Sequence, residues 1–299
     1  MSNDIYINEI GPRDGFQNVT EFIPTEVKLA VIDRIIASGV RHIQLTSFVS
    51  PKAIPQMKDA VEVVSACLEK YPDMDFYALV PNMRGAESAA GCGLKKVSAV
   101  ISVSESHNMA NIRKTVDESF TGLGEIISAF PDMKIILDAA TAFGCPTEGI
   151  TPYDKLKVYI ERARGLGITS ITLCDTIGIA TPNQVREYIT YLSDYFSDMD
   201  FRVHIHDTRN MGMVNTLTAV ECGVKHIEVS IGGLGGCPFA AGASGNTATE
   251  DFVYMLRSIG YETGIDFDKL LDAAKFASEH IRGNFSGHHI NITNDVRTQ

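Results

Sequence analysis

A chain of 299 residues, 44% hydrophobic and 21% charged, is long enough to bury a large core. Its net charge of −11 argues against nucleic acid as a partner, since that footprint is basic. No apolar run approaches the roughly 18 residues of a membrane-spanning helix, so no membrane partner is expected.

The first ten residues carry Asp4 and Glu9 and lack the features of a signal or transit peptide. Cys67, Cys92, Cys145, Cys174, Cys222 and Cys237 show no CxxC pairing. Reduced thiols and a cytoplasmic location are therefore expected.

Strands are expected at 6–10, 42–45, 76–80, 97–103, 135–139, 171–175, 201–207 and 226–231, because these are short apolar runs rich in Ile, Val, Phe and Tyr. Several are near-continuously apolar, as suits parallel strands covered on both faces. The segments between them read as helices. Thr181-Pro182 and Thr151-Pro152 each pair a capping residue with proline at the first helical position. Gly39, Gly93, Gly167 and Gly223 fall just before strands, where helices should stop. Eight such alternations predict a (β/α)8 TIM barrel with an additional C-terminal helix at 267–281. The whole chain, 1–299, reads as one domain, with a catalytic core over about 5–282 and a loose polar tail over 283–299. An open doubly wound sheet is the competing architecture, but the Gly-rich fingerprint expected after its first strand is missing.

In a barrel of this kind chemistry gathers where strands end. After the first strand comes Gly11-Pro12-Arg13-Asp14-Gly15-Phe16-Gln17-Asn18, which is either a surface ion pair in a turn or a metal-ligating Asp14 beside an oxyanion-holding Arg13. At the seventh, His204-Ile205-His206-Asp207-Thr208 puts two imidazoles on one strand face. They are either core histidines or half of a metal site. After the eighth, a Gly-rich loop runs from Gly232 past Cys237 to Asn246, and a cysteine set among glycines has little core to hide in. Asp14, His204, His206 and a carbonyl donor such as Asn246 would form a nitrogen–oxygen shell. That shell suits Mg2+ or Mn2+ foremost, with Zn2+ or Co2+ also admissible.

These motifs, with Thr46-Ser47-Phe48-Val49-Ser50-Pro51-Lys52, Gly233-Leu234-Gly235-Gly236-Cys237-Pro238 and Gly242-Ala243-Ser244-Gly245-Asn246-Thr247, closely resemble the 3-hydroxy-3-methylglutaryl-CoA lyase family. The resemblance implies a metal-dependent retro-Claisen cleavage of that thioester to acetyl-CoA and acetoacetate, a place in leucine degradation, and a homodimer. It assigns the metal to Asp14, His204, His206 and Asn246. It implies that Arg13 stabilises the enolate oxygen, that Cys237 protonates the enolate carbon, and that His204 doubles as a proton shuttle. Asp175 and Thr176 would support the site. Gln17, Lys52, Arg84 and Asn108 are assigned to the coenzyme A side, with Arg113-Lys114 as further cations for its phosphates.

Two positions depart from the family. Gln44 stands where it normally has an active-site glutamate, and a glutamine holds neither proton nor charge. Cys174 stands where lyases usually carry glycine and related synthases cysteine. The substitution at Gln44 leaves open a related tertiary 3-hydroxyacyl-CoA, such as citramalyl-CoA, or a Claisen-type synthase reaction.

Overall fold

The computed structural model describes residues 5–236 and 245–292. Eight strands, β1 (Tyr6–Glu9), β2 (His42–Ser47), β3 (Asp75–Leu79), β4 (Lys96–Ser102), β5 (Lys134–Ala140), β6 (Ser170–Asp175), β7 (Asp200–Ile205) and β8 (His226–Val229), form a closed barrel. Each pairs in parallel with its sequence neighbours, and β8 closes onto β1. Around them lie α1 (Thr25–Ala37), α2 (Ala60–Lys70), α3 (Met83–Gly91), α4 (Glu105–Ile112), α5 (Val116–Ala129), α6 (Tyr153–Gly165), α7 (Pro182–Tyr195), α8 (Gly212–Glu221), α9 (Thr249–Ser258) and α10 (Phe267–His280). All eight expected strands occur, and α10 is the expected additional helix. The open-sheet alternative is thereby excluded.

The period of two along each strand decides what the barrel holds. Ile43, Leu45, Ile171, Leu173, Phe201, Val203 and Ile205 face outward and are buried under the helices. The opposite parity faces the axis and is largely polar. Tyr77 on β3 donates to Glu228 on β8, Arg202 on β7 to Asn8 on β1, and Gln44 on β2 to Ser98 on β4. Bonds between strands that are not neighbours can run only through the interior. These polar groups replace the branched aliphatic layers usual in such barrels, and each must find a partner.

The cap signals divide. Thr181 accepts from the Gln184 amide with Pro182 at the first helical position, as expected. At α6 the capping residue is Pro152 itself, and the Thr151 hydroxyl donates instead to the Thr141 carbonyl, so that expectation was wrong. The four stop glycines all have positive φ.

The tail is a second correction. Beyond α10 the chain up to residue 292 docks rather than hanging loose. Gly287 donates to the Gly232 carbonyl at 2.9 Å, and the His288 and His289 amides donate to Asp251 at 2.7 and 3.0 Å. Gly232 has φ +63°, and a Cβ there would lie 2.5 Å from the Phe285 ring. Only glycine permits this approach.

Candidate active site

The chain after β1 leaves the barrel in one π-helical turn, Gly11–Gly15. Glu9 fixes that turn. Its carboxylate accepts from the Gly11 and Ile231 amides and from the Thr249 hydroxyl at 2.7–2.8 Å, tying the first loop to the eighth. The turn presents Arg13 and Asp14, both buried, to the mouth. On β7 the shared parity of His204 and His206 brings their rings to 4.9 Å between centroids. Asn246 arrives from the eighth loop through a single bridge to His206, supported by the Asp207 amide donating to Gly245.

Asp14, His204 and His206 offer ligand atoms that lie within 4.8 Å of one another. Asn246 fills the gap, its Nδ2 donating to Asp14 Oδ2 at 2.7 Å and its Oδ1 lying 2.9 Å from His204 Nε2. The expected four groups therefore converge. His204 has acceptors on both sides, since Glu228 stands 3.4 Å from Nδ1. Burial opposes its charge, but the bond and charge of Glu228 and the charge of Asp14 outweigh it and hold its pKa up. Conversely, burial pulls His206 down to about 4, the neighbouring His204 adding to it. The Nδ1 of His206 is buried with no hydrogen-bond partner among the described residues. A carboxylate, two imidazoles and an amide oxygen so arranged fit one divalent cation. Glu228 would fix the His204 ring, as carboxylates do behind metal-ligating histidines.

Arg13 donates through Nε to Gln44 Oε1 and through a terminal nitrogen to Asp14 Oδ1, the latter at 2.5 Å. Burial works against its charge, but Asp14, Asp138 and Glu228 outweigh that and raise its pKa. Asp14 is lowered because Arg13, His204 and His206 overcome the cost of burial. Above these groups opens a cavity of about 520 Å³, within the range of small-molecule sites.

The remaining expectations scatter. Gln17 lines the cavity, 3.4 Å from Asp14, and Lys114 and Thr176 line it too. Lys52 and Arg84 are exposed, and the residues that line the cavity near them are Ser50, Ala53 and Asn82. Asn108 is a structural clasp. It accepts from the Ser102 amide and donates to the Lys114 carbonyl and Ser119 hydroxyl at 2.8–2.9 Å, so both amide hydrogens are spent inside the fold, and it is not among the residues that line the cavity. Asp175 has outward parity. Its two oxygens accept from the Ile179 and Ala180 amides at 3.0 Å, so it shapes the loop bearing Thr176 and does not face the cavity. Cys174 lines the cavity, but burial and then the charges of Asp138 and Glu228 push its thiol well up and disfavour the thiolate. Cys237 lies outside the described residues; Gly236, which precedes it in the sequence, lines the cavity.

Sequence reading missed Asp138 and His107, which also line the cavity. Asp138 sits inside the apolar run of β5. Burial, then repulsion by Glu228, raises its carboxyl to about 7. The available signal was parity: Asp138 is a carboxylate two residues from Ala140 on the inward face.

The barrel and its converging ligand set define a metal-binding (β/α)8 enzyme site. The HMGL-like family profile matches residues 4–277, and the chain belongs to that family. It is 39% identical over 92% of its length to the mitochondrial hydroxymethylglutaryl-CoA lyase of Mus musculus, covering 85% of that protein. It is also 39% identical to hydroxymethylglutaryl-CoA lyase YngG of Bacillus subtilis, covering 92% of each. An HMG-CoA lyase from A. baumannii, solved with coenzyme A and 3-methylmalate, superposes with a TM-score of 0.94 at 35% identity, over 100% of this chain and 98% of that one.

Proposed function

We propose that this chain is a metal-dependent carbon–carbon lyase that cleaves 3-hydroxy-3-methylglutaryl-CoA to acetyl-CoA and acetoacetate. The observation that carries the reading is the convergence of Asp14, His204, His206 and Asn246 below the cavity, with Arg13 alongside. Relatives named for this activity over nearly the whole chain support it.

A divalent ion held by those four residues would polarise a chelating hydroxyl and carboxylate of the substrate. Mg2+ or Mn2+ is proposed first, with Zn2+ or Co2+ also compatible with the donor set. In the cleavage the hydroxyl O–H breaks, its pair forms the ketone, and the carbon–carbon pair passes into the thioester as an enolate. Arg13, buried and held by Gln44 and Asp14, is oriented to stabilise that enolate oxygen. Cys237 is proposed as the proton donor to the enolate carbon. Lys114 and Gln17 in the cavity wall are proposed for the coenzyme A side, together with the rim cations Lys52 and Arg84.

Purified protein stripped with a chelator and reloaded with Mn2+ should release acetyl-CoA from 3-hydroxy-3-methylglutaryl-CoA. No acetyl-CoA at micromolar enzyme refutes the reading. A second reading, cleavage of a related tertiary 3-hydroxyacyl-CoA, is favoured by the neutral amide of Gln44 against Arg13. Under it, Gln44→Glu raises turnover of 3-hydroxy-3-methylglutaryl-CoA at least tenfold, and unchanged turnover dismisses it.

A homodimer and a cytoplasmic setting complete the proposal. The five described cysteines are all free, in keeping with a reducing compartment. No described helix is long and apolar enough to cross a membrane.

A further inference from the structure

We propose that Asp138 is a catalytic residue of this site: its free Oδ1 receives the hydrogen of the substrate 3-hydroxyl and removes that proton as the carbon–carbon bond opens. The inference rests on the lyase reading given above and assigns the proton acceptor that the reading requires.

The groups around the cavity leave few candidates. Asp14 has Oδ1 on Arg13 and Gln17, and Oδ2 on Asn246. Glu228 has Oε1 facing Tyr77 and Thr172, and Oε2 facing His204. His204 would give one ring nitrogen to the metal and faces Glu228 with the other, so no lone pair is left to take a proton. Gln44 accepts from Arg13 and cannot hold a proton.

Asp138 differs from all of these. It is 4% exposed and lines the cavity, and its Oδ1 has no partner among the described residues. An unpaired oxygen on a buried carboxyl is costly. A substrate hydroxyl donating to it would remove that cost. The surroundings are arranged for this purpose. Ser98 accepts the Gln44 amide at 2.8 Å, which leaves its own hydrogen for Asp138, and hydrogen bonding from Ser98 does favour the carboxylate. Arg13 favours the carboxylate as well, while burial and Glu228 oppose it. A carboxyl so balanced near neutrality is able to gain and lose a proton in turn.

The step balances. The O–H bond breaks and its proton goes to Oδ1. The oxygen pair forms C3=O, the C2–C3 pair becomes the thioester enolate, and C2 then takes one proton to give the acetyl thioester. One proton is gained at Asp138 and one is given up by the donor to carbon, so passage of the Asp138 proton through solvent back to that donor restores both groups and closes the cycle.

The test uses Mn2+-loaded protein. Asp138→Asn should lower kcat at least 100-fold with KM within threefold of wild type. Its melting temperature should be no lower, since the carboxyl oxygen it replaces has no partner to lose. Calorimetry in saturating coenzyme A then compares 3-hydroxy-3-methylglutarate with 3-methylglutarate, which lacks the hydroxyl. Wild type should prefer the hydroxy acid, and Asp138→Ala should reduce that preference at least fivefold. An unchanged preference, or kcat within threefold of wild type in both variants, overturns the role of Asp138 and leaves the lyase reading intact. Wild-type protein that binds neither diacid and cleaves no thioester overturns the lyase reading and this inference with it.

Discussion

Gln44 shows how one side chain can occupy a catalytic network without carrying its charge. Its carbonyl holds Arg13 and its amide reaches Ser98, so it orients the guanidinium while leaving the acidic groups on other strands. Asp14 serves both Arg13 and the imidazoles, which makes it the residue on which the proposed metal and enolate sites would depend together. Asp14→Asn keeps the shape and removes the charge. It should weaken Mn2+ binding roughly 100-fold by calorimetry. A loss under threefold would remove Asp14 from the metal site. The histidine pair was legible because a two-residue spacing on a strand fixes a shared face. Asn246 was legible as a carbonyl donor on the Gly-rich loop but not in its route, for it reaches the site by a single bridge across the mouth. Asp138 was not legible, because a lone acid in an apolar run has no pattern until the inward face is known to be polar.

At the scale of elements, α4 shows where a motif reading goes astray. Asn108, expected on the ligand side, instead ties α4 to the end of β4 and the start of α5 with two buried bonds and one half-buried one. It thereby holds Lys114 and His107 at the cavity wall. Asn108→Ala leaves the Ser102 amide and Lys114 carbonyl unpaired, so it should cost about 2–4 kcal/mol in urea unfolding. Mn2+ affinity should stay within twofold. A large drop in metal affinity with unchanged stability would contradict the clasp. The strands themselves were readable because their outward residues are apolar except near strand ends such as Asp175. What the periodicity could not reveal was the interior, where the same alternation sets Arg202 against Asn8, Gln44 against Ser98 and Tyr77 against Glu228 across the barrel.

For the whole molecule, buried acids set the response to pH. Burial, then the charge of Asp251, lifts Glu250 from 4.5 to about 8, and burial lifts Glu9 to about 7 against three hydrogen bonds. The folded chain holds these protons over a range in which the unfolded chain has lost them. Stability contributed by Glu250 is therefore full below about 4.5 and falls as pH rises towards about 8. Glu250→Gln should flatten that slope, removing roughly 2–4 kcal/mol of the decline between pH 5 and 8. Denaturant titrations across that range would show it, and an identical slope in the variant would refute it. The histidines act the other way at lower pH. Burial holds His206 and His226 near 4, so acidification through the range below 6.5 destabilises the fold. The docking of 285–292 has its own consequence. The Gly233 carbonyl at the root of the eighth loop waits for a hydroxyl supplied 53 positions later, from Ser286. During synthesis all eight strands leave the ribosome well before that segment does, so the barrel has time to close while its mouth is still unfinished. A chain halted just short of Phe285 would lack this brace on its rim, and the mouth would be completed only once that segment is in place.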